Sequence, residues 1–261
     1  MKINRKNIGQ SFSGGLPLWK ALALFLAFTI AGCAGVKDMQ GKRDPKELYD
    51  KAMTHYLGQM YNEAESGFKT LMEEHPLSPY SVEAQLMLGD VCYASEKYED
   101  ASSYYTNFVA LHPTHQKAPY ALFQKGMSHF RDVLTIDRDQ TSTRKALFAF
   151  EDLAAAYPGS AYHSKAKELI GFLKKRLAER EFYVARFYFK DKNYKGALAR
   201  FRDILKNYPE AGFNDSALYY IGESYERLGE KNLANDAFST LISNFPDSPY
   251  VKEVRTKLKE S

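Results

Sequence analysis

The side chains that could carry out chemistry are few, and none stands in a pattern that a catalytic or metal site requires. His112 and His115 lie close together, but no neighbouring cysteine or carboxylate completes a zinc-ligand set. Ser142 and Lys145 match a Ser-x-x-Lys spacing without the companion Ser-Asp-Asn and Lys-Thr-Gly motifs. HExxH, paired CxxC, a phosphate-binding loop, GxGxxG and GxSxG are all absent from the sequence. We therefore expect no enzyme, no metal site and no bound cofactor.

One cysteine does stand in an informative position, at the end of an N-terminal apolar stretch. Residues 1–32 contain four basic side chains and no acidic one, and residues 21–30 form an apolar run. Ala31 and Gly32 follow, and then Cys33. A positive region, an apolar core and small residues, in this order, are typical of a secretory signal peptide. The run is shorter than the roughly 20 residues of a membrane span, so we expect residues 1–32 to direct export and to be removed.

Residues 30–33 resemble the lipobox of bacterial lipoproteins. In that family the signal is cut before the cysteine, which receives N-acyl (palmitate) and S-diacylglycerol chains. The resemblance implies that lipidated Cys33 anchors the protein in the lipid bilayer of the outer membrane, on its periplasmic face, because Ala34 stands where an aspartate would favour inner-membrane retention. Several acyl chains give a stable anchor. The alternative is a plain signal peptide with a chance cysteine.

The net charge of +4 does not indicate nucleic-acid binding, because all of it comes from the first 32 residues. The remaining chain has 32 basic and 32 acidic side chains. A basic surface is what a nucleic-acid partner requires. With 44% hydrophobic and 26% charged residues, the composition is that of an ordinary folded protein.

Beyond residue 44 the chain repeats one pattern five times. An alanine is followed four residues later by an aromatic residue, in the pairs Ala64/Phe68, Ala101/Tyr105, Ala146/Phe150, Ala197/Phe201 and Ala234/Phe238. A proline follows each alanine after twelve residues, and a small residue precedes four of the alanines by twelve. This is the tetratricopeptide pattern. Small residues let two antiparallel helices approach, the ring fills the space between them, and the proline ends the second helix.

We therefore predict an all-α fold, a superhelical solenoid of five tetratricopeptide-like helical hairpins. Fourteen extra residues between Pro158 and Ala185 correspond to almost four helical turns, so a long helix over about 164–190 should open the fourth hairpin. Eight extra residues around 135–143 should form a protruding loop or hairpin tip in the third. The predicted segments are signal peptide 1–32, flexible tether 33–44, and repeats 45–80, 81–117, 118–162, 163–212 and 213–261, the last with a C-terminal helix.

Solenoids bind partners on the face lined by the first helix of each repeat. Three positions before and four after the small residue of each repeat, eight of ten residues are aromatic. The rings that come first along the chain are candidates for a groove that binds an extended peptide: Tyr49, Tyr56, Tyr93, Phe123 and Phe130. Charges between these positions, at Asp90, Arg186 and Glu223, favour a face that is not wholly buried. The alternative is that the rings only pack neighbouring helices together.

Cys92 has no partner for an internal disulfide if Cys33 carries lipid. It lies three residues after Gly89, and His129 lies three residues after Gly126. This is a packing position of the repeat, so we expect both side chains to lie in the core.

Several segments resemble the BamD family of outer-membrane assembly lipoproteins. They are the close of repeat two (111–115), the insertion (137–140), the proline turn of repeat three (157–162), the long helix (173–179) and the close of repeat four (200–209). The similarity extends from residue 31 to about 255.

The resemblance implies a part in the β-barrel assembly machinery. In that family the N-terminal repeats are thought to receive unfolded outer-membrane proteins through an aromatic-ended signal, and the C-terminal repeats dock on the BamA-type barrel-inserting protein. The implied partner dock comprises Arg186, Phe189, Arg200, Tyr219 and Glu223. Further assembly lipoproteins stay open as partners.

Two alternatives remain from the sequence. A Tol–Pal-associated periplasmic repeat protein shares the Pro-x-Ser-Pro-Tyr turns that begin at Pro76 and Pro246, although such proteins usually lack a lipobox and carry a coiled coil. A lipoprotein scaffold for a peptidoglycan enzyme is the second alternative.

Overall fold

The structure is a computed structural model that describes residues 43–133 and 138–260. Over these two ranges it contains eleven α-helices and no strand. In chain order they are α1 (Pro45–Leu57), α2 (Tyr61–Glu74), α3 (Pro79–Ala94), α4 (Tyr98–Leu111), α5 (Ala118–Phe130), α6 (Thr141–Ala156), α7 (His163–Lys190), α8 (Tyr194–Asn207), α9 (Asn214–Arg227), α10 (Lys231–Asn244) and α11 (Val251–Glu260). The predicted signal peptide, Cys33 and most of the tether lie outside the described residues.

The helices pack mainly against their neighbours in the sequence, as in a one-dimensional array. They form five hairpins, which we number one to five: α1–α2, α3–α4, α5–α6, α7–α8 and α9–α10. Helix α11 follows and covers hairpin five with Val251 and Val254, which are both buried. The prediction of an all-α solenoid of five hairpins is confirmed.

The close approach of the two helices in a hairpin depends on a small residue that faces a ring. A Cβ atom on Gly89 would lie 2.5 Å from the ring of Tyr105, and one on Gly126 would lie 2.5 Å from the ring of Phe150. Carbon atoms in ordinary contact are about 3.5–4.0 Å apart. The alanine–aromatic spacing and the small residue therefore describe one contact, which explains why they recur together.

The connections inside the hairpins are tight and nearly identical. In hairpin one, Gln59 adopts a positive φ of 59° and the N–H of Met60 donates to the carbonyl of His55. Hairpins two and four repeat this turn at Glu96 and Lys192, and hairpin five uses Gly229. Hairpin three has the insertion instead, so its two helices are joined by a longer segment.

The long fourth-hairpin helix is confirmed, since α7 has 28 residues and a length of about 42 Å. Within the described ranges, no helix combines the length and apolar content that crossing a membrane requires. The insertion is only partly a loop. Helix α6 already begins at Thr141, and Thr143 and Gln140 are buried and hydrogen-bonded to each other. The expectation of a loop through residue 143 is therefore wrong at its C-terminal end, while 134–137 lie outside the described residues.

Candidate functional site

The first helices of the five hairpins, α1, α3, α5, α7 and α9, together form a surface that we call the first-helix face. All five rings predicted to bind a peptide lie on it, in hairpins one to three. Each of them is half-buried. Each of the five rings therefore contacts the rest of the fold on one side and presents part of its surface to solvent.

Two of these rings fill the space between successive hairpins. Tyr49 lies 5.7 Å from Phe68 of its own hairpin and 5.6 Å from Tyr80 of the next, measured between ring centroids. Phe123 likewise lies 5.6 Å from Phe150 and stacks on Tyr162 at 5.2 Å. Such ring pairs stabilise packing by about 0.5–1.5 kcal/mol each. The buried part of these rings is therefore explained by contacts between helices.

The other three rings lie nearer the hairpin tips. Tyr56 faces Tyr61 at 6.2 Å and Phe130 faces Phe172 of α7 at 5.8 Å. Tyr93 packs edge-on against Tyr98 at 5.4 Å. The hydroxyl of Tyr93 also accepts a hydrogen bond of 2.9 Å from Nε of Arg131. Peptide binding by all five rings stays a prediction, because these contacts are compatible with both a groove and pure packing.

A carboxylate that the sequence analysis treated only as a surface charge lies among these helices. Oδ1 of Asp90 accepts hydrogen bonds from the hydroxyls of Tyr105, at 2.7 Å, and Tyr120, at 2.8 Å. Burial raises the pKa of Asp90, and it also raises the pKa of both tyrosines, with the Asp90 charge as the second cause. No local motif announces this cluster, because its members come from three helices.

The predicted partner dock is largely occupied by contacts within the chain. Phe189 lies 5.4 Å from the ring of Tyr194 and 5.2 Å from that of Tyr220. Arg200 donates a hydrogen bond of 2.7 Å to Glu181. Arg186 is exposed, although its guanidinium lies 5.9 Å from the centroid of the Tyr220 ring.

The last two dock residues are covered by α11. Tyr219 stacks on Tyr250 at 4.3 Å and donates a 2.6 Å hydrogen bond to Glu253. Glu223 is only 7% exposed and lies 2.5 Å from Nζ of Lys257. The interpretation of Glu223 as a sign of an open face is therefore wrong, because α11 covers its carboxylate and places the half-buried Lys257 opposite it.

Helix α7 instead presents an exposed aromatic and basic surface that the sequence analysis missed. Tyr183 and Phe187, one helical turn apart, are 52% and 63% exposed. They line a groove of about 420 Å³ together with Glu179, Phe182, Arg186, Lys190 and Phe213; we call it the α7 groove. Helices α7 and α8 carry twelve Lys and Arg residues against four acidic ones, so the groove lies in a basic part of the chain.

The remaining reactive side chains belong to the core. Cys92 is 1% exposed, as predicted, and burial raises the pKa of its thiol to about 11. His129 is buried and its Nε2 lies 2.8 Å from Oγ of Ser102. Burial also lowers the pKa of His129. Across the part of the chain that the structure describes, no three His, Cys, Asp or Glu side chains converge as a metal site would require.

Comparison of the sequence with known proteins identifies a family. The model of the YfiO family, described as outer membrane lipoprotein, matches residues 41–237. A protein of Xylella fastidiosa strain 9a5c, named outer membrane protein assembly factor BamD, is 31% identical over 245 residues, which cover 88% of this chain and 84% of the relative. The protein of the same name from Haemophilus influenzae is 30% identical over 86% of this chain and 90% of its own length. Among solved structures, a tetratricopeptide repeat protein from Parabacteroides merdae is similar at 20% identity, with 82% and 72% of the two chains covered and a TM-score of 0.40.

Proposed function

This chain belongs to the YfiO family of outer membrane lipoproteins, and from this premise we propose how it takes part in outer membrane protein assembly. It is an outer membrane protein assembly factor that works as a scaffold without catalytic activity of its own. The observation that carries the proposal is the first-helix face, which presents partly exposed rings in hairpins one to three and the α7 groove in hairpin four. Open surfaces of this kind suit extended or protein partners better than small substrates.

The anchor is part of the proposal. Cys33 carries N-acyl and S-diacylglycerol chains and holds the folded hairpins at the periplasmic face of the outer membrane. The protein needs no other cofactor. Cys33→Ala should release the protein from outer-membrane fractions and abolish labelling by radioactive palmitate, and membrane retention of this variant would contradict the proposal.

Hairpins one to three receive unfolded outer-membrane proteins. The support is the set of half-exposed rings, each of which can add one contact to a peptide side chain. Replacing Tyr56 and Tyr93 by alanine should weaken binding of a peptide with a C-terminal phenylalanine by about tenfold. Helix content by circular dichroism should stay the same, and unchanged binding by this folded variant would mean that the rings only pack.

Hairpins four and five dock on the BamA-type barrel-inserting protein. The α7 groove and Arg186 supply the exposed part of this dock, and the groove suits an acidic surface with one protruding apolar side chain. Phe187→Ser should therefore reduce recovery of the barrel-inserting protein in a mild-detergent pull-down of the tagged chain. Phe148→Ser is the matched control, because Phe148 is 61% exposed but lies on α6, outside the groove.

The same pull-down tests the proposed function as a whole. Recovery of a large β-barrel protein with periplasmic domains, reduced by Phe187→Ser but not by Phe148→Ser, would support it. Recovery of Tol–Pal components or of a peptidoglycan hydrolase instead would overturn the assembly role and leave only the anchored scaffold.

A further inference from the structure

Asp90 lies where hairpins two and three meet. It is a residue of α3, and the two hydroxyls that bind its Oδ1 come from Tyr105 of α4 and Tyr120 of α5. Both hydrogen bonds go to Oδ1, so Oδ2 accepts none from the described residues, and Asp90 as a whole is half-buried. One oxygen is therefore held in a fixed position by the fold, while the other has no hydrogen-bond donor among the described residues.

This carboxylate has no cation of its own among the described side chains. The basic residue that acts on it electrostatically is Lys117, whose Nζ lies 2.6 Å from Glu83 and is thus engaged elsewhere. Burial disfavours the ionised form of Asp90 and raises its pKa, against the opposing effects of Tyr105, Tyr120 and Lys117. A partly desolvated carboxylate gains more from a cation than a solvated one does.

The surroundings are acidic and aromatic at once. Helices α1 to α4 carry ten Asp and Glu residues against three Lys. The charge of Asp90 also contributes to the raised pKa values of Tyr49 and Tyr56, after burial as the main cause for each. Both rings also pack against a core cluster that includes Leu88 and Val91, which lie on either side of Asp90 in α3, so one short peptide could reach all three side chains.

We propose that Asp90 binds the ammonium or guanidinium group of a Lys or Arg side chain in an extended cargo peptide, next to an aromatic side chain that contacts Tyr49 or Tyr56. The inference rests on the proposed function and names the class of peptide that hairpins one to three prefer. A carboxylate paired with a cation gives a charge-assisted hydrogen bond, which is stronger than a bond between neutral groups. Cations also bind favourably to the faces of tyrosine rings. The site selects for positive charge, which aromatic contacts alone would not do.

The test compares three fluorescent peptides that differ at one position. Each has the same phenylalanine, and two residues away, on the same side of an extended strand, it has Lys, Gln or Glu. Binding to the full-length lipidated protein in detergent is measured by fluorescence anisotropy at low salt. We expect the Lys peptide to bind about tenfold more tightly than the Gln peptide, and the Glu peptide to bind most weakly.

Asp90→Asn should remove the preference for Lys. The substitution keeps a carbonyl oxygen that can accept both tyrosine hydrogen bonds, so we expect the helices to stay in place. Asp152→Asn is the matched control, because Asp152 is an exposed aspartate on α6, which is the second helix of hairpin three and not part of the first-helix face. Asp90→Glu, which keeps the charge, should retain a preference for Lys.

The outcomes separate the inference from the proposed function. If the unaltered protein binds the Lys and Gln peptides equally, the inference is overturned while cargo binding stands, and this result needs no variant. If Asp90→Asn keeps the tenfold preference, the inference is also overturned. If the unaltered protein binds none of the three peptides, cargo binding by hairpins one to three fails and the inference fails with it.

Discussion

Adding a single methyl group at Gly222 should destabilise the protein, although the same change stabilises most helices. Gly222 lies on α9, and a Cβ atom there would be 2.2 Å from Cε1 and 2.5 Å from Cδ1 of Phe238. The ring cannot move aside easily, because Phe238 is fully buried in the core of hairpins four and five. Overpacking of a core costs about 1–3 kcal/mol. The overlap at Gly222 is closer than those at Gly89 and Gly126, so its cost should lie near the upper end of this range.

The helical preference of alanine offsets part of this cost. Alanine is favoured over glycine inside a helix by about 1 kcal/mol. We therefore expect Gly222→Ala to lower the free energy of unfolding by about 2 kcal/mol. Gly171→Ala is the matched control, because Gly171 lies inside α7 and a Cβ atom there would meet nothing within 4 Å. That change should raise the free energy of unfolding by up to about 1 kcal/mol.

Urea unfolding followed by far-UV circular dichroism measures both effects. The change in the free energy of unfolding should have opposite signs for Gly222→Ala and Gly171→Ala. A Gly222→Ala variant as stable as the unaltered protein would refute the reasoning. A double-mutant cycle locates the cause. If the clash is with the ring, Gly222→Ala should cost little in a Phe238→Leu background, since the smaller side chain leaves room for the methyl group.

Three further predictions follow from buried charges and thiols. Lys257→Ala should lower the free energy of unfolding by about 2 kcal/mol, because it leaves the buried carboxylate of Glu223 without its cation. Adding Glu223→Gln to this variant should restore most of the lost stability. If urea unfolding shows no recovery in the double variant, the pairing of Lys257 with Glu223 is contradicted. Burial lowers the pKa of His129 in the folded protein, so as the pH drops the unfolded state binds a proton at this residue before the folded state does. The free energy of unfolding should therefore fall as the pH drops from about 6.5 toward the lowered pKa of the folded state. His129→Gln should remove this part of the pH dependence, and an unchanged dependence of stability on pH in the variant would contradict the prediction. Because burial raises the pKa of the Cys92 thiol to about 11, a thiol reagent at about pH 8 should modify Cys92 only after urea unfolds the protein, and rapid modification of the folded chain would show that the side chain is accessible.

The hairpins could be predicted from the sequence because each is specified by a local contact. The alanine–aromatic pair and the small residue lie within about two dozen residues of each other, so their spacing records the approach of two helices. The length of α7 could be predicted for a similar reason, since no proline interrupts residues 163–190. The start of α6 could not be predicted in this way, because residues 141–143 are polar and their pattern is typical of a loop. Only the structure shows that Gln140 and Thr143 are buried.

The candidate site was harder to predict because the exposure of a side chain depends on helices that are distant in the sequence. Glu223 and Tyr219 occupy positions of the first-helix face, but α11 covers them. Because the count of three before and four after the small residue Ala185 selects Phe182 and Phe189, neither Tyr183 nor Phe187 was predicted as a site residue. Their separation of one helical turn was a signal that these rings share a face. Asp90 shows the same limit, since its two tyrosine partners come from different helices.

The positive and negative charges of the chain balance overall but are distributed unevenly among the helices. Taken as a whole, the chain beyond residue 32 is neutral, so its net charge provides no attraction to polyanions. Helices α1 to α4, however, are strongly acidic, and α7 and α8 are strongly basic. Surface charges act over about 8–10 Å at physiological salt, so hairpins one and two present a different potential to a ligand than hairpin four does. A cationic, aromatic peptide would therefore be attracted to hairpins one and two, and an acidic protein surface would be attracted to hairpin four. In the proposed function, this separation would let one scaffold hold cargo and partner at the same time without competition between them.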